Sequence, residues 1–596
     1  MSVKKCINCN ELVENNEKIC PNCDGFFLKK KCPKCDEIMK DNIKKCWYCG
    51  YDFSLKNKKN IKSNVYDKYL DELKNTKFIE TINKNNNKYI RLTDEQIDII
   101  KNAKENNLII NAFAGSGKST TLLSIAYALK SKTFLFLAFN NSVKKDIENK
   151  IRRSNLKNIK VMTTHGLAYK FVKKDLKFNK IGKELNTSEI SKILEIDIFI
   201  ADLVRIAFND FCNGSYRYIS DETIEEIIKN NIKLKFIDEN KEYLKDKLNI
   251  IWNMYMDNKL DVSHNVYLKY FQLNIERYRI NFDYILLDEA QDTNDVVLDI
   301  FNKLNGKKII VGDPHQQIYS FRGSINAMYK IRNEMEAKVL YLTETFRFPK
   351  YIAEKANYIL RNFKGEEKEI ISSKSENDNE FNTICYITRT NSTLIKLIDE
   401  FKNYEITLVR APTEIFKLPL SIYYYIKYLN TGKHKDKIKE KWILNFKDLE
   451  ELKDYAEDFE DYELISAINI AEEYDNKLFD LLKIAEEKYN INNGKIYLTT
   501  AHTSKGLEWD KVIITHDFPN IIDLIKKEKY KSIKEFTKSF KKHIDKIING
   551  LNDKFKHQNI IDEINLFYVA LTRAKKKVLF YSNENIFDFD INKLLE

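Results

Sequence analysis

Short apolar runs recur along this chain, and each stops abruptly at small or polar residues. Leu108-Ile109-Ile110 leads into Ala112–Thr120 and then a helical spacing of apolar positions from Leu122 to Leu129. Phe134–Leu137 stops at Phe139-Asn140-Asn141, Tyr284–Leu287 at Asp288-Glu289-Ala290-Gln291-Asp292, and Ile309–Val311 at Gly312-Asp313-Pro314-His315. Runs too short for a helix and apolar on both faces predict buried parallel strands. Strands alternating with helices predict a doubly wound α/β domain with its ligand at the strands' carboxyl ends. Further strands near Ile384, Tyr497, Val512 and Val578 predict a second such domain. Two long stretches, about 172–278 and 410–494, are helical in pattern and read as insertions. Residues 51–88 are rich in Lys and Asn and read as a partly helical linker.

Composition changes this picture only at the margins. A chain of 596 residues with 43% hydrophobic residues has ample core for several domains. With no apolar run of about 18 residues, no membrane span is expected. The start, Met1-Ser2-Val3-Lys4-Lys5-Cys6, lacks the apolar stretch of a secretory signal, so a cytoplasmic, non-secreted protein is expected. The net charge of +12 is mild for this length. It permits a nucleic-acid partner without establishing one.

Eight of the ten cysteines fall in the first 49 residues, as Cys6-x2-Cys9, Cys20-x2-Cys23, Cys32-x2-Cys35 and Cys46-x2-Cys49. Each half has two knuckles separated by the same interval, so a four-thiolate site is duplicated. Four soft ligands in Cys-x2-Cys turns suit tetrahedral Zn²⁺, and the metal would supply folding free energy that such short segments cannot. The expectation is two Zn²⁺ in a double zinc ribbon over residues 1–50, with rubredoxin-like iron as the alternative. A disulfide framework would need an oxidising compartment. The ribbons would grip nucleic acid or a protein partner. Cys212 and Cys385 stand apart and are expected to be buried.

Chemistry enters with Ala112–Thr120. A strand, a loop with the spacing Gly/Ala-x4-Gly-Lys-Ser and a helix make a phosphate-binding loop. Backbone amides of Ala114, Gly115, Ser116, Gly117 and Thr120 would curl round the phosphates of a nucleoside triphosphate. Lys118 would reach the β/γ oxygens, and the Ser119 hydroxyl would ligate Mg²⁺. Ala112 stands where the first glycine often sits. Asp288, at the end of an apolar strand, is placed to hold Mg²⁺, and Glu289 to take a proton from the attacking water.

Over residues 89–582 these features resemble superfamily 1 helicases of the UvrD/Rep/PcrA type, motif by motif, and three details look most like the F-box DNA helicase branch. Those details are Gly312–Tyr319, Tyr341–Phe348 and Ser263-His264-x2-Tyr267-Leu268-Lys269. The resemblance implies two RecA-like domains, 89–342 and 343–596, with the helical stretches as inserted accessory domains, the second one reduced. It places Gln96 on adenine, Gln316 at the γ-phosphate, Arg347 and Arg573 on its charge, and Glu508 on ribose. It places Phe139, Asn140, His165, Tyr319, Phe321 and His502 on DNA. Thr164 departs from the usual Phe of its motif. Single-stranded DNA and its junctions with duplex would be the substrate, and 3′-to-5′ polarity follows from the family. Two other readings stay open: a translocase that strips bound proteins with little unwinding, and a zinc-ribbon adaptor whose ATPase is a nucleotide switch. Residues 520–560 form a Lys-rich helical segment that either tracks a phosphate backbone or is a solvated face.

Overall fold

In the computed structural model, residues 92–581 are described except 176–180, 232–233, 235–236, 238–239, 319–326, 376–379, 459–460, 490–493 and 551–554. Outside that range the backbones of four short strands near the amino terminus and of Ile586–Phe587 are described. Two compact units emerge, the second comprising Phe113–Ser116, Asp313–Ser320 and Thr343 onward.

The first 40 residues contain strands β1 (Val3–Lys5), β2 (Leu12–Glu14), β3 (Lys29–Lys31) and β4 (Ile38–Lys40). They form two antiparallel hairpins, with Val3 opposite Glu14 and Lys29 opposite Lys40. The second hairpin repeats the first with every position displaced by the same number of residues as the cysteines. The eight knuckle cysteines lie outside the described residues.

The first unit is built on six strands: β5 (Leu108–Ala112), β6 (Phe134–Ala138), β7 (Ile159–Thr163), β8 (Asn281–Leu287), β9 (Asn305–Gly312) and β10 (Lys338–Leu342). They lie in the order β10-β5-β9-β8-β6-β7, every pairing parallel. Period-2 geometry divides their side chains between two cores. Leu108 and Ile110, Phe134 and Phe136, Tyr284 and Leu286, and Ile309 and Val311 face one core. Ile109, Leu135, Leu137, Ile285, Leu287 and Ile310 face the other. That second core runs on into the helical insertion, where helices Ile198–Asn213 and Lys241–Met256 contribute Val204, Phe211, Leu248 and Ile251. The insertion therefore shares its core with the sheet.

The second unit opens with a short parallel pair, β11 (Glu344–Thr345) and β12 (Ile371–Ser372). Its main sheet contains β13 (Ile384–Thr388), β14 (Ile406–Leu408), β15 (Ile496–Thr500), β16 (Trp509–Ile514), β17 (Ala574–Tyr581) and β18 (Ile586–Phe587). Their order is β14-β15-β13-β16-β17-β18, parallel except for the last pair. Cys385, Ile387, Val512 and Ile514 face one core, while Tyr386, Ile513, Leu498 and Leu408 face another shared with helices Lys417–Thr431 and Tyr462–Tyr474. This mixed architecture of parallel sheets and many helices fits RecA-like helicase domains. Cys212 and Cys385 are both buried free thiols. No helix among the described residues is long and apolar enough to cross a membrane.

Candidate active site

Register brings the polar ends of the first unit's central strands to one edge. Asn111 pairs with Gly312 and Leu287 with Ile310, so the loop after β5, the acidic turn after β8 and the end of β9 are neighbours. Helix α1 (Asp94–Ala103) begins at Thr93 in a capping box with Gln96. Gln96 is buried, and its amide Nε2 donates to Thr121 Oγ1 at 3.1 Å while Oε1 accepts from the Thr93 amide at 3.0 Å. Its side chain ties α1 to helix α2 (Lys118–Ala128), whose N-cap is Gly117 at φ 81°. Only glycine adopts such a left-handed backbone without strain, so this position has a steric reason to lack a side chain.

Lys118 Nζ lies 2.8 Å from Glu289 Oε1. Gln291 Nε2 donates to the other oxygen, Oε2, at 2.6 Å. The carboxylate is thus gripped from two sides. Gln291 is fully buried, and Gly312 makes room for it: a Cβ on Gly312 would fall 2.4 Å from Gln291 Oε1. Glu289 itself sits at φ 52°, and its amide donates to Asp288 Oδ1 at 2.9 Å. Asp288 is buried, and burial followed by the charge of Glu289 pushes its carboxyl up to about 6, with Lys118 as the main offset. Two adjacent carboxyls, one of them paired with Lys118, and the Ser119 hydroxyl at the start of α2 are hard oxygen donors of the kind Mg²⁺ takes.

The DNA-contact residues expected of the first unit are placed as follows. Phe139 follows β6 and is 43% exposed, open enough to stack. Asn140 caps the next helix, its Oδ1 accepting from the Val143 amide at 2.9 Å. His165 is half-buried in the first turn of helix Thr164–Asp175. Its ring lies 6.1 Å from that of His264, and burial with the charge of His264 lowers it to about 4.

In the second unit, Asp313 and Gln316 anchor a buried network. Gln316 Nε2 donates to Asp313 Oδ2 at 2.7 Å, and its Oε1 accepts from Arg573 at 3.1 Å. Tyr568 OH donates to the same Asp313 oxygen at 3.1 Å, and Arg573 Nε donates to the Val569 carbonyl at 2.9 Å. Arg573 is 2% exposed. Arg347 Nε lies 2.9 Å from Glu508 Oε2, and its NH1 donates to the Thr572 carbonyl at 3.1 Å. Thr345 Oγ1 donates to the Ala114 carbonyl and the Phe346 amide to the Gly115 carbonyl, so the loop glycine stands against the Arg347 turn. His502 is half-buried just after β15. Tyr319 and Phe321 lie outside the described residues. Sequence reading passed over Gln291, Asp313 and Tyr568. For Asp313 a signal existed, since it follows apolar β9 as Asp288 follows β8.

Residues 92–336 match the UvrD/REP helicase N-terminal domain. F-box DNA helicase 1 of Gallus gallus is 29% identical over 528 residues, covering 82% of this chain and 49% of that protein. F-box DNA helicase protein 1 of Schizosaccharomyces pombe is 28% identical over 535 residues, covering 79% of this chain and 55% of its own. The ATP-dependent DNA helicase PcrA of Staphylococcus aureus is 26% identical over 298 residues, 46% of this chain and 40% of PcrA. The chain spans about half the length of the curated relatives it matches. By these matches the chain is similar to DNA helicases of superfamily 1.

Proposed function

We propose that this chain is an ATP- and Mg²⁺-dependent DNA helicase that moves 3′ to 5′ on single-stranded DNA and separates duplex at junctions. The observation that carries the reading is Glu289, held by Lys118 and Gln291 beside a buried Asp288. That is a general base aimed by a hydrogen-bond donor and placed next to a metal-binding carboxylate.

In this mechanism Ser119 and Asp288 would hold Mg²⁺, and the ion would supply charge neutralisation for the phosphates. Lys118 exchanges its Glu289 partner for phosphate oxygen, which frees the Glu289 carboxylate to take a proton from the attacking water. Arg347 and Arg573 stabilise charge developing on the transferred phosphoryl group, and Gln316 senses its presence. Glu508 takes the ribose. Gln96 reads adenine by exchanging its bond to Thr121. Phe139, Asn140, His165, Tyr319, Phe321 and His502 contact the strand, with stacking of bases on aromatic rings worth about 1–3 kcal/mol each. The cysteine knuckles would hold two Zn²⁺, which would supply folding free energy to ribbons that bind a nucleic acid or protein partner.

Steady-state ATP hydrolysis with and without a single-stranded oligonucleotide tests the reading, with Glu289→Gln as the blank. Strong stimulation by DNA is expected, and none would leave a nucleotide switch. A labelled fork then separates unwinding from translocation: hydrolysis without strand release would favour a protein-stripping translocase.

A further inference from the structure

Helix α3 (Ile533–Ile548) is strongly amphipathic and belongs to the second unit. Phe536 and Phe540 are buried in the core, and Thr537 Oγ1 donates to the Asn362 carbonyl. On the outer side Lys534, Lys538, Lys542 and Lys546 are all exposed. They follow one another at i, i+4 spacing, about 6 Å apart along the axis. None of the four has an ion-pair partner among the described residues.

Several other helices pair such lysines with an acid one turn away: Lys144 with Glu148, Lys150 with Asp146, Lys303 with Asp299 and Lys350 with Glu354. Like charges at i, i+4 destabilise a helix, and a lysine in the first turn opposes the macrodipole. A merely solvated face has no need of three such steps in succession. The helix's two acids do not relieve them: Glu535 accepts from the Lys531 amide, and Asp545 forms no ion pair among the described residues. A row of unpaired cations at regular spacing fits a linear polyanion.

The inner side of α3 is tied to the phosphate sensor. Lys541 pairs with Glu367 at 3.0 Å. Lys364 lies 4.5 Å over the Phe540 ring and donates to Asn565 at 2.9 Å, and Asn565 donates to the Gln317 carbonyl at 2.8 Å. Glu366 meets buried His315, the neighbour of Gln316, at 3.1 Å. Two ion pairs, Lys541 with Glu367 and Glu366 with His315, thus connect α3 to the neighbour of Gln316.

We propose that the lysine row of α3 is a binding surface for the sugar–phosphate backbone of single-stranded DNA. It deepens the helicase reading and rests on it. The test replaces Lys534, Lys538, Lys542 and Lys546 together by Gln in the full chain, with the matching Arg set as the charge-preserving control. Affinity for a single-stranded oligonucleotide is measured across a salt series. The Gln set should weaken binding about tenfold or more at low salt and flatten the log K against log salt slope by about 0.7 per lost contact, up to about 3. The Arg set should keep both. Equal thermal melting of the two sets excludes misfolding, and Gln removes the like-charge neighbours, so melting should hold. Wild-type affinity and slope in a folded Gln variant would overturn the proposal and leave the helicase reading intact. Weakened duplex binding with unchanged single-strand binding would overturn the single-strand assignment. A wild-type protein that binds no DNA would overturn the proposal and the helicase reading together.

Discussion

Lys118 in the first unit and Arg573 in the second are both cations assigned to phosphate, yet the protein holds them by different means. Lys118 is paired with the carboxylate of Glu289, and both side chains are partly open to solvent, at 16% and 24%. Arg573 is buried, and the oxygens that receive it, from Val569 and Gln316, are neutral. In the proposed mechanism a lysine resting on a carboxylate is arranged for exchange: an incoming phosphate would take the cation and liberate a base in one movement. A guanidinium held by amide and carbonyl oxygens keeps its full charge and its orientation. The first arrangement handles partners and protons; the second is a fixed source of field.

The comparison breaks first at the exchangeable pair. Glu289→Gln should lower ATP turnover by roughly 10²–10⁴-fold through loss of the base, and Lys118→Ala should abolish turnover, both read by steady-state phosphate release. If the Glu289→Gln variant turned over normally, proton transfer would have to be assigned elsewhere. Next comes the fixed arginine. Arg573→Ala should cost roughly 10³-fold or more in turnover, and Arg573→Lys should fail to restore it, because an ammonium cannot satisfy Val569 and Gln316 at once. Recovery by Lys would show that charge alone matters there.

A smaller effect concerns pH. Asp288 is held up to about 6, above the ordinary carboxyl value of about 3.9. A carboxyl raised in the folded state adds stability below its unfolded value, and that contribution is lost as pH rises through about 6. Asp288→Asn should therefore raise the melting temperature at pH 7.5, measured without metal, and change it little at pH 4. A gain of the same size at both pH values would remove buried charge as the cause. The smallest effect is expected at the knuckles: Cys32→Ser with Cys35→Ser should leave ATP turnover of the folded protein unchanged, and a collapse would tie the ribbons to the motor.

What the sequence disclosed was local. Five-residue apolar strands, the loop glycines and the acidic turn depend on neighbours within one element, so spacing alone located Lys118, Asp288 and Glu289. Contacts between distant segments stayed hidden. Tyr568 reaches Asp313 across 255 positions, and no local pattern marks the tyrosine as anything but a core residue. Gln96 looked like a free reader of a base, whereas its amide is committed to Thr93 and Thr121. His165 reads as an ordinary contact residue until burial, with the charge of His264 from a separate helix, lowers its proton affinity. The lysines of α3 show the same limit: periodicity gave the helix, but that its four outer lysines form no ion pair among the described residues needed the structure.

Gly312 touches no nucleotide in this mechanism, yet it sits against the glutamine that holds the proposed base. Any side chain there begins with a carbon 2.4 Å from Gln291 Oε1 and 3.2 Å from the Ala290 amide. Every codon one base away from glycine that still encodes a different residue adds that carbon. A lineage losing this glycine would keep all its named functional residues while Gln291, whose amide holds Glu289, had to move.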